Sequence, residues 1–335
     1  MTAPIGVTPG STAAAAEPAL TGGMGAGAIQ GRSLAQIAWR RLRRDKVAMA
    51  GGVVVVLMVL ASVLAPVLVR FFGHPPDVFN ENLINPELAG APNGPFGGIN
   101  SHYLLGVEPQ TGRDVFSRIL YGGQVSLLIA VLATVVSVVI GVVGGIIAGY
   151  FGGWVDAVIS RLMDLFLAFP ILVFAIALTG VVQNKAFGLT GNTLHITVLV
   201  FVIGFFNWGY MARIIRGQTL SLRTREYVDA ARGLGARSGY VLWRELLPNL
   251  VAPILVYATL LIPQNILFEA ALDFLGVGIH PPTPSWGQML AYAVPIYQDD
   301  PWYMLMPGLA IGITVLAFNL FGDGLRDAID PRSTR

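Results

Sequence analysis

The 335-residue sequence predicts an all-α integral membrane protein with six transmembrane helices, on three observations. Only 12% of the residues are charged and 54% are hydrophobic, about half the ~25% charge of a soluble domain. The sparse charges bound uncharged runs long enough to cross a bilayer, which takes ~20 apolar residues. The basic residues fall almost entirely in alternate connecting segments, as the positive-inside rule requires of a multi-pass chain.

Taken in order, the first run is Val47–Val69, 23 uncharged residues between Lys46 and Arg70. It exceeds a signal-peptide core of ~7–15 residues, so an uncleaved span is expected. The second, Ile119–Val155, is too long for one straight crossing and reads as a long helix with a Gly-rich exit. The third is Leu165–Asn184, the fourth Ala186–Ala212, the fifth Leu246–Phe268 and the sixth Pro301–Gly322. A further run, Phe274–Gln298, contains Pro281, Pro282, Pro284 and Pro295. A proline inside a helix costs about 3 kcal/mol, so this segment is expected to be interfacial or re-entrant and shielded by protein.

With six spans, one side collects Arg32, Arg40, Arg41, Arg43, Arg44 and Lys46, then Arg161, seven arginines from Arg213 to Arg244, and Arg326, Arg332 and Arg335. That is seventeen of the 21 cations, which places both termini in the cytoplasm. The organisation that follows is a disordered tail (1–31), a basic segment with the first span (32–70), an external loop (71–118), five further helices (119–325) containing a cytoplasmic loop (213–249), and a cytoplasmic end (326–335). Low-complexity Ala/Gly/Pro/Thr composition marks the tail as disordered. A short amphipathic piece is expected at Asp114–Tyr121. The excess of arginine over lysine suggests a high-GC bacterial genome.

Gly141, Gly145 and Gly149 recur every fourth residue on the second span. Such a stripe lets another helix approach closely, either within the bundle or at a dimer contact. The 213–249 loop reads as two short helices. Glu226 and Asp229 favour the start of the first through the helix dipole, and Gly233 and Gly235 stop it. Ser238 is expected to cap the second, which ends at Leu247 before Pro248. Small Ala230 and Ala231 would expose Leu234 as a narrow apolar knob suited to a partner's groove, unless the loop is a solvated connection whose charges only set topology.

Asp229-Ala230-Ala231, Gly235 four residues on, and Leu247-Pro248 resemble the "EAA" loop of ATP-binding-cassette importer permeases, with aspartate in place of the usual glutamate. Leu105–Arg118, Asp273–Gly287 and Phe321–Pro331 resemble signatures of the C-type subunit of dipeptide and oligopeptide permeases. At Val107–Thr111 the first departs from the commoner threonine–aspartate form. The resemblance covers roughly 33–333 and implies a type I importer (MetI-like) permease fold. It also implies that Glu226, Asp229, Ala230, Ala231, Leu234, Gly235 and Pro248 couple the chain to an ATPase. The implied partners are a homologous second permease, two ATP-binding-cassette subunits carrying ATP and Mg, an external substrate-binding protein and a peptide substrate, in the bacterial cytoplasmic membrane. Nothing points to nucleic acid. Nickel and glutathione importers share this architecture, and an ATP-independent secondary transporter is the rival from another class.

A phosphate-cradling loop needs Gly-x-x-x-x-Gly-Lys followed by Ser or Thr. The two lysines, Lys46 and Lys185, follow Asp45 and Asn184, so ATP hydrolysis is expected on separate subunits. No cysteine is present, and the four histidines (His74, His102, His195, His280) have no metal-ligand spacing. No nucleophile–base arrangement suggests an enzyme. Arg161 and Asp164 can pair along one helix. Gln264, Asn265, Glu269 and Asp273 cluster near the outer end of span five. They read either as an interfacial group packed on the external loop or a partner, or as the outer mouth of a translocation path.

Overall fold

A computed structural model describes residues 34–181, 185–186 and 188–329. The expected tail (1–31), Arg32 and the last six residues of the 326–335 segment lie outside the described residues.

The basic segment forms α1 (Leu34–Leu42), whose Leu42 packs with Ala48 and Ala328. Asp45 starts α2 (Lys46–Val63) by accepting from the amides of Val47 and Ala48 at 2.9 and 3.0 Å, a side-chain N-cap. Span one breaks at Leu64, where Pro66 opens α3 (Ala65–Phe72). The outward face of α2, with Val53, Val56, Leu57, Leu60 and Val63, is exposed, as a lipid-facing surface would be.

Two-residue strands β1 (Ile84–Asn85) and β2 (Ala91–Pro92) pair antiparallel in the 71–118 loop. Asp114 is the N-cap of α4 (Val115–Phe151), so the expected amphipathic piece is the first two turns of a 37-residue helix. That helix ends at Gly152, whose φ of +67° suits glycine.

The third span is not one straight helix. α5 (Gly153–Ala168) and α6 (Ile171–Val181) are bent by 77°. Pro170 lies in the break; it removes an amide donor and bars helical backbone before it. Among the described residues five helices are long and apolar enough to cross a membrane, and six if the bent pair is one broken span.

After the antiparallel strands β3 (Lys185–Ala186) and β4 (Leu189–Thr190) comes α7 (Gly191–Leu222). It runs parallel to α4 and packs along it. Two helices follow, α8 (Glu226–Gly233) and α9 (Ser238–Phe274). The expected stop before Pro248 does not occur. Instead α9 widens into a π-helical turn at Val241–Leu246 and continues through Pro248, Pro253 and Pro263. The Asn249 side-chain amide donates to the Glu245 carbonyl at 2.7 Å beside the proline that cannot donate. Neighbouring helices and polar side chains make prolines tolerable in such spans.

The proline-rich 274–298 run is no span. It folds back into the protein and carries only α10 (Trp286–Ala293) and a 3-10 turn, with Trp286 and Met289 buried. α11 (Pro301–Ile329) closes the chain against α2 and α9. On α2, a Cβ at Gly51 would lie 2.8 Å from the Ala317 carbonyl oxygen, so these two helices are in close contact.

Candidate functional site

The most exposed apolar side chain of the 213–249 loop stands on a well-anchored helix. Leu234 is 90% exposed at the end of α8. The opposite face of α8 buries Val228 with Val241 and Leu246 of α9, backed by Tyr150 and Leu222. Arg232 lies 5.0 Å over the Tyr150 ring and 3.7 Å from Asp229. Arg223 donates to the Gly149 and Tyr150 carbonyls at 3.0 and 3.4 Å, tying the loop to the end of α4.

The stop is a Schellman motif. The Gly235 amide donates to Arg232 O at 2.9 Å and the Ala236 amide to Ala231 O at 3.0 Å. Gly235 sits at φ +84°, the left-handed position such a cap requires. Glu226, Asp229 and Ala230 are exposed and Ala231 is half-buried. Ser238 does not cap; Arg237 holds the N-cap position of α9 without a side-chain bond. Pro248 lies inside α9 rather than at a boundary.

Gly141, Gly145 and Gly149 face α7. A Cβ on them would stand 2.6 Å from Met211 Cβ, the Ala212 carbonyl oxygen and Thr219 Cβ respectively. On the facing helix a Cβ at Gly204 would meet Ala133 O at 2.8 Å, and Ser137 donates to Gly204 O at 2.9 Å. The contact is thus between helices of one chain and small on both sides.

Asn265, Glu269 and Asp273 are buried where α9 meets α4 and the α10 segment, whereas Gln264 points away and is exposed. Ser126 donates to Glu269 Oε1 at 2.9 Å, and Asp273 accepts from the Ile279 amide at 2.8 Å and from Ser285. Asn265 donates to Thr134 Oγ1 and accepts from Asn207, both at 2.8 Å. Ser126, Thr134, Asn207 and Ser285 carry no sequence signal beyond being polar in apolar runs. The expected Arg161–Asp164 pair does not form. Asp164 instead accepts from Arg213 of α7 at 2.6 Å, and Arg216 pairs with Asp156. His195 and His280 come together with ring centroids 4.4 Å apart, a proximity that sequence spacing does not reveal. Among the described residues no three His, Asp or Glu side chains gather to hold a metal ion.

A second polar cluster was visible only as charges in the Leu105–Arg118 signature. Glu108 accepts from Arg113, from Thr111 Oγ1 at 2.6 Å and from Tyr303 Oη at 2.6 Å, with Arg118 Nε 3.4 Å away. All four partners but Thr111 are at most 4% exposed. Burial pushes the Glu108 carboxyl up, but Arg118 and Arg113 outweigh it and hold it below the usual carboxylate range. Arg118 also donates to Pro76 O and Pro282 O, at 3.3 and 3.4 Å. The cluster therefore joins the loop to α4, α11 and the 274–298 segment.

Compared with known proteins, residues 141–335 match the family "Binding-protein-dependent transport system inner membrane component", and residues 33–86 the "N-terminal TM domain of oligopeptide transport permease C". The chain is 39% identical over 304 residues to the oligopeptide transport system permease protein OppC of Escherichia coli (strain K12), covering 91% of this chain and 93% of that one. It is 35% identical over 295 residues to the dipeptide transport system permease protein DppC of Alkalihalophilus pseudofirmus, covering 88% and 89%. The glutathione transport system permease protein GsiD of Shigella flexneri serotype 5b is 38% identical over 294 residues, covering 88% and 89%. Among solved structures, the inward-facing methionine ABC transporter MetNI aligns at TM-score 0.49 and 18% identity, over 63% of this chain and 96% of that one.

Proposed function

We propose that this chain, which belongs to the family of binding-protein-dependent transport system inner membrane components, is a permease subunit of an ATP-driven importer of di- and oligopeptides. The oligopeptide-permease N-terminal domain over residues 33–86 and the two peptide-permease relatives support the substrate class. The glutathione relative keeps a second reading open. Glutathione is itself a tripeptide, and uptake of labelled glutathione against labelled trialanine separates the two.

The chain sits in the bacterial cytoplasmic membrane with both termini and α8 on the cytoplasmic side. There it pairs with a homologous second permease and with two ATPase subunits that bind ATP and Mg; an external binding protein delivers the peptide. The single observation that carries the coupling reading is Leu234, 90% exposed at the tip of α8 while Val228 and Arg223 fasten the loop to α9 and α4. A knob held this way transmits displacement to two spans instead of absorbing it. ATPase closure then moves α8 and α9 as a body, and the permease alternates between outward- and inward-facing arrangements. Asn265, Glu269 and Asp273 anchor α9 to α4 and the re-entrant segment in this reading, which leaves Gln264 as the candidate to face the path.

The test is Leu234→Asp in the reconstituted complex. An exposed side chain contributes within about ±0.5 kcal/mol to stability, so the melting temperature should hold. Peptide uptake and binding-protein-stimulated ATP hydrolysis should each fall at least about tenfold, since losing an interfacial anchor costs roughly 2 kcal/mol or more. Wild-type uptake and hydrolysis in L234D would overturn the coupling assignment.

A further inference from the structure

A cavity of about 500 Å³ opens on the 71–118 side of the molecule, between the 94–97 turn and the start of α11. Its size falls in the ~300–1,000 Å³ range of small-molecule sites. Asp300, only 4% exposed, lines it. One carboxylate oxygen, Oδ1, accepts from the Trp302 backbone amide at 3.2 Å. The other, Oδ2, is buried with no hydrogen-bond partner, and so is the Trp302 indole Nε1–H. Among the described residues no basic group lies within ion-pair distance of Asp299 or Asp300. Burial raises the Asp300 carboxyl above its ordinary range.

The walls suit a cation. Phe96 stands edge-on to Trp302 with ring centroids 5.6 Å apart, and aromatic faces attract ammonium groups. Phe96 holds φ at +53°, a backbone position that costs a non-glycine residue energy and persists where its surroundings demand it. Gly97 separates the two orphaned groups. A Cβ there would stand 3.1 Å from Trp302 Cδ1 and 3.3 Å from Asp300 Oδ2, so any larger residue would fill the gap. An unpartnered acceptor carrying negative charge beside an unpartnered donor calls for a ligand with a cation and a carbonyl close together.

We propose that this cavity binds the free amino terminus of a peptide, its ammonium at Asp300 Oδ2 with Asp299 at the rim and its first carbonyl accepting from Trp302 Nε1–H. Such a group offers both complements on a single residue, with only the Cα between the ammonium and the carbonyl group. An internal lysine or arginine offers the charge without the adjacent carbonyl. The site is independent of the transport reading, because its binding needs neither ATP nor partner subunits.

The experiment is equilibrium calorimetry on the full chain in lipid nanodiscs, with trialaninamide as probe. Its N-acetylated form and N-acetyl-argininamide are the comparisons. Trialaninamide should bind saturably. Its acetylated form should bind at least about tenfold more weakly because it leaves the buried carboxylate unpaired, and N-acetyl-argininamide at least about tenfold more weakly because its charge has no adjacent carbonyl for Trp302 Nε1–H. Asp300→Asn keeps the α11 cap and should weaken trialaninamide at least about tenfold. Asp299→Asn, at an exposed position, and Trp302→Phe, which keeps the ring, should each weaken it by a few-fold. Equal binding of the acetylated peptide would overturn the proposal. So would binding by N-acetyl-argininamide as tight as by trialaninamide, or affinity unchanged in all three variants.

Discussion

Glu108→Ala is expected to destabilise the protein by about 3–5 kcal/mol, the cost of breaking a buried ion pair from one side. The carboxylate is the shared acceptor for Arg113, Arg118, Thr111 and Tyr303. Its removal leaves two guanidinium groups buried without a countercharge and a phenol without an acceptor. Glu108→Gln should cost less, because the amide oxygen still accepts from Tyr303 and keeps the volume. Thermal unfolding of the full chain in mild detergent measures both.

The pH dependence has a definite sign. Burial raises the Glu108 carboxyl while Arg118 and Arg113 lower it further, so its folded pKa is depressed. A depressed acid contributes stability that is fully present above its unfolded value, about 4.3, and is lost as pH falls through the folded one. The stability gap between wild type and Glu108→Gln should therefore be constant from neutral pH to about 5 and narrow progressively as the pH falls below the unfolded carboxyl's range. A gap that stays constant throughout would refute the ion-pair account.

The apolar spans were legible in the sequence because lipid imposes a coarse rule, length without charge. The rule counts residues and says nothing of breaks. Pro170 therefore bent the third span by 77° inside what reads as one apolar run. The same rule misjudged proline in the other direction. By the rules for helices in water Pro248 reads as a helix stop, yet α9 passes through it with a π-helical turn and a side-chain amide beside the break.

The α8 stop at Gly235 was legible because a left-handed cap leaves glycine in the sequence. The partners of the buried polar residues were not, because they come from elements far apart in the chain: Glu108 with Tyr303, Ser126 with Glu269, Asp164 with Arg213. Spacing along one helix suggested Arg161 for Asp164, a choice only the packing of α5 on α7 corrects. Asn265 and Gln264 illustrate the same limit. Adjacent in sequence, they point in directions that separate a buried anchor from an exposed side chain.

The second large effect concerns the α4–α7 contact, where one methyl group is enough to discriminate. Gly145→Ala puts its Cβ 2.6 Å from the Ala212 carbonyl oxygen and 2.9 Å from Ile215 Cβ. The first obstacle is backbone, so no rotamer change relieves it and the helices must separate. Overpacking of this kind costs about 1–3 kcal/mol, and the upper end is expected because Gly141 and Gly149 abut α7 equally closely. Small residues are what permit helices to associate in lipid, where no hydrophobic drive compensates a lost contact.

Gly217→Ala is the control within the same helix pair. It adds the same methyl to α7 at a position with no atom within 4 Å, and alanine exceeds glycine in helix propensity by about 0.8–1.0 kcal/mol. Thermal unfolding in detergent should therefore place Gly145→Ala below wild type and Gly217→Ala level with it or above. Should the two substitutions behave alike, the close approach of α4 and α7 would not be what holds this part of the bundle together.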